Sequence, residues 1–367
     1  MRVELESVTE DYYPSLLASL ESERPPDILQ IGDDAVPTFV DQGALAPLDD
    51  MITSAEYPLD PTIYLSGLLD PGRWAGGQYL LPKDFSPLAV YYNKRIFDQF
   101  GVAYPHEGWT WDEFLDTARA LTRDTDADGS TDIWGVQLPG AWPTGFDYWS
   151  AAAGGRLVSP EGVGFLGYMD APQNVTALQF YADLFHRHRV APIPENLDPF
   201  APDSTWFRDG EAAMWLFGRW PQAELLQDPD VEVGLIGVPA GEERANILLW
   251  SGFGITNVSP NKEAAWRFLR FYAGTEGAAS WKNWGLPTVR SVAEEGGLFE
   301  DPIESVWISE LDYLTPRSYI YQPLWSTTGD PVLRKLLEQA ITDPEFDPIS
   351  ALYDATLEAQ GLLTGGQ

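Results

Sequence analysis

Asp124, Asp126, Asp128 and Asp132 place carboxylates at the first, third, fifth and ninth positions of a loop whose sixth residue is Gly129. That spacing matches the opening of a calcium loop, where alternate oxygens face one point and glycine permits the sharp turn. Gly135 stands at the twelfth position, where an EF-hand carries a bidentate glutamate, so no EF-hand is expected. A structural calcium at Asp124–Asp132 and a plain acidic turn both remain open. No other motif requires a cofactor.

Four further groups carry binding chemistry. Asp33 and Asp34 follow a strand predicted over 27–31, and open α/β sheets bind ligands at the carboxyl ends of strands. The competing reading of the two aspartates is a turn with a helix cap. Lys83, Asp84 and Phe85 lie between Pro82 and Pro87, as a solvated turn or as a ligand loop. Gly218-Arg219-Trp220-Pro221 closes another strand; glycine lets backbone approach a ligand, and tryptophan offers a flat apolar face. Trp142, Phe146, Tyr148 and Trp149 cluster among glycine and proline, as core or as a loop over a ligand. His186 and His188, two apart on a predicted helix, point to different sides and make no metal pair.

Composition narrows the function classes. A chain of 367 residues buries a large core and is expected to form two lobes. The net charge of -34 argues against a basic face for nucleic acid or anionic membrane. With 5 lysines against 56 acids, the surface suits a salty or extracytoplasmic setting. The absence of cysteine removes disulfides, thiol catalysis and cysteine-based zinc sites. No apolar run is long enough for a transmembrane helix, and no repeat is visible.

The elements that must position these residues centre on Tyr79–Arg123. Leu80, Leu81 and Leu88–Tyr92 are short apolar runs broken by proline, which suits strands. Thr110 as N-cap, Glu113 three residues later, and the pair Trp109–Phe114 announce a helix with Trp111, Phe114, Leu115, Ala118 and Leu121 on one face. Val3 and Leu5, alternating with Glu4 and Glu6, read as a half-buried strand. Helices are expected around 15–21, over 173–188, from Ser259-Pro260 to Gly274, and over 331–341 and 349–362; a short one is expected over 207–214.

The run LAVYYNKRIFDQFGV, followed by GWTWDEFLDTARALT, resembles the extracellular solute-binding proteins of carbohydrate ABC importers, the maltose-binding-protein-like group. PDILQIGDDAVPTFVDQGALAPLDD, FRDGEAAMWLFGRW and SGFGITNVSPNKEAAWRFLRFYAG match the same family in family order. The resemblance implies an α/β, two-lobed periplasmic-binding-protein fold of type II, with discontinuous lobes joined by a hinge. The first lobe is expected over 1–88 and 254–315, and the second over 89–253 and 316–367.

It further implies a sugar or oligosaccharide held in the interlobe cleft and delivered to membrane permease subunits. The protein is expected to be a monomer, extracytoplasmic and not an enzyme. In the family, the loops matching Asp33–Asp34, Asp84–Phe85 and Gly218–Trp220 reach the ligand. Trp142, Phe146, Trp149, the hinge residues Trp250, Ser251 and Gly252, the loop from Trp284 to Arg290, and Arg317 and Trp325 complete the candidate set. Relatives also carry a signal and a first strand and helix ahead of the point where this chain begins. The alternative is a glycoside hydrolase, which needs two carboxylates about 5–10 Å apart. Asp33, Asp34 and Asp84 are the acids available, and nothing in the sequence pairs them.

Overall fold

The computed structural model describes residues 2–8, 12–201, 205–281, 285–315, 317, 322 and 324–365. Among these, the strands in chain order are β1 (Ile28–Gly32), β2 (Arg73–Trp74), β3 (Gly77–Gln78), β4 (Leu80–Pro87), β5 (Ala89–Asn93), β6 (Trp134–Gln137), β7 (Ala212–Phe217), β8 (Val233–Gly237), β9 (Asn246–Ile255) and β10 (Leu314–Thr315). The chain forms two compact units: Met1–Ser86 with Leu249–Phe299, and Pro87–Leu248 with Glu300–Gln367. The sequence reading drew these divisions after residues 88, 253 and 315; packing draws them after 86, 248 and 299.

In the first unit, β9 pairs antiparallel with β1, from Ile28 opposite Ile255 to Gly32 opposite Ser251, and also with β4. The helix Lys262–Tyr272 covers this sheet with Ala265, Trp266 and Leu269 buried. Its core joins them to Leu48, Leu81, Ile255, Trp281 and Val289. Ser259, expected as the cap, instead accepts the Asn261 N–H at 3.0 Å and donates to Asp27 at 2.6 Å, so the helix begins later. Residues 2–8 form no strand; Val3 is 53% and Leu5 92% exposed. Their alternation has no sheet neighbour to bury it, and period-two patterning alone does not make a strand.

In the second unit the sheet order is β6-β7-β5-β8, with β6 parallel to β7 and β5 antiparallel to both its neighbours. The central β5 and β7 are almost wholly buried, which explains their unbroken apolar runs. The helix Trp111–Leu121 starts at the expected capping box: Thr110 accepts from Glu113 N–H, and Glu113 accepts from Thr110 N–H at 2.8 Å. Such a cap stabilises the helix by about 1 kcal/mol. The rings of Trp109 and Phe114 meet at 5.5 Å, as a hydrophobic staple requires.

The segment 142–149, read as core or as a loop over a ligand, is the helix Pro143–Ala152. Proline at its start needs no hydrogen-bond donor, and Gly145 lies directly under the Trp142 ring, so both apparent breakers fit a helix. The helix expected over 207–214 is a turn leading into β7. Pro172–Phe185, Gly329–Thr342 and Pro348–Gly365 supply the remaining long helices of this unit. No helix among the described residues is long and apolar enough to cross a membrane.

Candidate functional site

In the second unit, β7 ends at Phe217, and the chain turns through Gly218-Arg219-Trp220-Pro221. The hydroxyl of buried Tyr91 donates to the Gly218 carbonyl at 3.0 Å and holds the turn. A Cβ on Gly218 would overlap the Trp220 indole, so glycine is what allows the ring to lie across the turn. Trp220 is 52% exposed, with its ring 5.4 Å from Phe217 and 6.2 Å from Trp142. Trp142 and Phe217 are buried and touch each other at 5.9 Å. Phe200, which the sequence reading did not single out, packs on both and also meets Trp220. Two exposed rings thus stand on a floor of two buried ones.

Beside this corner, Arg219 grips Glu304 with two parallel bonds, Nε to Oε2 at 3.1 Å and Nη2 to Oε1 at 2.7 Å. Gln222 donates to the same carboxylate at 2.8 Å and accepts from the Trp307 indole. A fork-to-fork pair of this kind is directional and strong. Glu304, Gln222 and Trp307 carry no local sequence signal and were not anticipated.

Phe146 and Trp149 lie inside the helical core of this unit. Trp149 contacts Trp111, Phe114, Phe180 and Tyr181, and Phe146 contacts Tyr181. Trp325 is also buried, packed against Phe165 and Gly329. Arg317 is 6% exposed; residues 316, 318–321 and 323 around it lie outside the described residues. The structure therefore gathers Trp142, Gly218, Arg219 and Trp220 and does not bring Phe146, Trp149 or Trp325 to their surface.

In the first unit, the pairing of Gly32 with Ser251 sets the Asp33–Asp34 turn beside the middle of β9. The Ser251 hydroxyl donates to Asp84 Oδ1 at 2.6 Å, and Asp84 is ion-paired with Lys83. Gln30, unforeseen from the sequence, donates to Ser251 at 3.4 Å. Asp34 accepts from the Tyr13 hydroxyl at 3.0 Å, while Asp33 is buried at the start of the turn. Phe85 and Trp250 are buried, and the Trp250 indole donates to the Leu68 carbonyl at 2.8 Å with Gly252 against its ring. Arg290 is exposed at the first turn of the helix Arg290–Glu295, and Trp284 lies outside the described residues.

The aspartate loop brings carboxylate oxygens of Asp124, Asp126 and Asp128 within 4.8 Å of one another. Asp132 is not one of that group: its Oδ2 accepts from the Thr125 N–H at 2.6 Å and from the Thr125 hydroxyl. The hydroxyl bond first, then the amide bond, holds the Asp132 carboxyl below its ordinary value. Asp124 accepts from Ala127 and Gly129 N–H groups at 2.7 and 2.9 Å, so the turn is also braced from within.

Comparison with known proteins agrees with this architecture. Residues 2–279 match the model of a family described as bacterial extracellular solute-binding protein. The diacetylchitobiose binding protein DasA of Streptomyces coelicolor is 24% identical over 262 residues, 70% of this chain and 58% of that one. An arabinooligosaccharide-binding protein of Halalkalibacterium halodurans is 26% identical over 287 residues, 74% of this chain and 59% of its own length. The chain thus spans less than two thirds of the length of these curated relatives. Among solved structures, the substrate-binding protein Lmo0181 of Listeria monocytogenes, in complex with cycloalternan, superposes with a TM-score of 0.84 at 24% identity, covering 97% of this chain and 89% of that one. UgpB of Mycobacterium tuberculosis, in complex with glycerophosphocholine, gives 0.82 at 21% identity, with 98% and 89% covered. The fold is that of the two-lobed periplasmic solute-binding proteins.

Proposed function

Because the chain belongs to the bacterial extracellular solute-binding protein family, we propose that it is the receptor component of an ABC importer and captures a neutral sugar or oligosaccharide. The observation that carries this reading is the aromatic corner of the second unit, with Phe200 and Trp220 exposed above Trp142 and Phe217. Sugar rings present C–H faces beside hydroxyl rims. Aromatic faces take the first, and carboxylates, amides and hydroxyls take the second, as in pockets with apolar walls and a few convergent polar groups.

The ligand is uncharged in this reading. Arg219 is committed to Glu304, and a chain of net charge -34 repels anions. Names of relatives support the sugar class: diacetylchitobiose for one and arabinooligosaccharides for another. The protein acts outside the cytoplasm as a monomer that hands its ligand to permease subunits. It binds without catalysis. A structural calcium held by Asp124, Asp126 and Asp128 belongs to the same proposal.

Titration calorimetry against glucose, maltose, xylobiose, arabinobiose, diacetylchitobiose and glycerol 3-phosphate tests the reading. Binding of one or more saccharides without release of reducing sugar is expected. Binding of glycerol 3-phosphate alone would overturn the sugar assignment, and hydrolysis would favour the glycoside hydrolase.

A further inference from the structure

Phe200 is 56% exposed, yet it is not a loose loop tip. Its N–H donates to Asp198 Oδ1 at 3.0 Å, and the Asp198 N–H donates to Asn196 Oδ1 at 3.0 Å. The Ala201 N–H returns to the Asp198 carbonyl at 3.0 Å, and Ala141 N–H bonds the Leu197 carbonyl at 2.9 Å. These bonds tie the turn to the residue preceding Trp142. A successive pair of aspartate-type turns of this kind fixes backbone direction. The Phe200 ring rests 5.6 Å from both Trp142 and Phe217, so its position is set by buried neighbours.

The rings of Phe200 and Trp220 stand 5.5 Å apart with their planes at 80°. One sugar ring has a single mean plane and stacks on one aromatic face at a time. Two rings joined by a glycosidic bond turn relative to one another and cover two steeply inclined faces together. Resting on the sugar-binding reading above, we propose that Phe200 is a second aromatic platform of that site and makes it select saccharides of at least two rings. Trp220 serves one ring and Phe200 the next, so affinity is divided between the two platforms.

Calorimetry with matched pairs tests this: glucose with maltose, xylose with xylobiose, and N-acetylglucosamine with diacetylchitobiose. The variants are Phe200→Ala, Phe200→Tyr and Trp220→Ala, each checked by thermal melting. For the pair that binds the unsubstituted protein, Phe200→Ala is expected to weaken the disaccharide about tenfold or more while leaving the monosaccharide nearly unchanged. Phe200→Tyr, which keeps the ring, restores disaccharide affinity, and Trp220→Ala weakens both sugars. Unchanged disaccharide binding in a folded Phe200→Ala protein overturns the inference alone, as does equal weakening of both sugars. Failure of every saccharide to bind the unsubstituted protein overturns the functional reading and this inference with it.

Discussion

The indole of Trp220 lies across Gly218 so closely that no Cβ fits between them, while the Gly218 carbonyl is held by the Tyr91 hydroxyl at 3.0 Å. The turn is thereby anchored on one side and caps itself with an aromatic face on the other. Gly218→Ala is expected to push the exposed indole off the turn. Sugar affinity should then fall by about 1–3 kcal/mol, with little change in melting temperature because the displaced ring moves into solvent. Calorimetry and melts on the same sample check it; an early melt with intact affinity would contradict it.

Two tryptophans separate binding from folding. Trp220 is half-exposed, whereas Trp149 is fully buried among aromatic neighbours. Trp149→Ala should cost about 3–5 kcal/mol of stability through the cavity it leaves. Trp220→Ala should cost far less stability and lose about 1–3 kcal/mol of ligand binding. Denaturant titrations beside calorimetry distinguish the two outcomes.

The Arg219–Glu304 pair is partly shielded, with side chains 15% and 21% exposed. Removing Glu304 by substitution with alanine should cost about 1–3 kcal/mol, since Arg219 and Gln222 both lose their acceptor. Replacing both members by methionine should recover much of that loss, because the two partly desolvated charges are then removed together. A double variant as unstable as the single one would show that the pair contributes by more than mutual neutralisation.

Glu310 is 1% exposed, and burial raises its carboxyl above the ordinary glutamate range, against the bond from Asn246 at 2.6 Å and the ion pair with Arg244 at 3.6 Å. The folded protein therefore holds this proton more tightly than the unfolded chain. Its contribution to stability is fully present below the unfolded value of about 4.3 and declines as pH rises through the raised folded value. Glu310→Gln removes that titration, so its stability relative to the parent should improve as pH increases from about 4 to about 7. Urea unfolding at several pH values measures the difference; a pH-independent offset would count against the assignment.

Calcium is expected to raise the melting temperature by binding the native Asp124–Asp126–Asp128 group, and Asp126→Ala should remove that increment. Melts with calcium and with chelator decide it. Indifference to both would leave the loop as a turn braced by its own N–H bonds.

Local signals were legible where both partners of an interaction lie within a few residues. The capping box of Thr110 and Glu113, the staple of Trp109 and Phe114, and the apolar face of Trp111–Leu121 follow from spacing alone, and the structure contains each. The turn at Gly218–Pro221 and the apolar run of β5 were equally readable, whereas Ala212–Met214, the first half of β7, were read as the end of a helix. Several segments in family order carry the resemblance to the solute-binding family on residue types and spacing alone.

Burial could not be read the same way. Trp149 and Trp220 are the same residue type, and their fates depend on helices and loops far away in the chain: Trp111 and Phe180 enclose the first, while Phe200 and Trp142 flank the second without covering it. Gln30, Ser251 and Asp84 meet only because β1 and β4 both pair with β9. Val3 and Leu5 alternate as a strand would, yet a strand needs a neighbour, and here none is supplied among the described residues. Sequence by itself determined periodicity, caps and turns, since those energies are local; the tertiary structure alone decided which apolar faces lose their water, because that depends on what arrives from elsewhere in the chain.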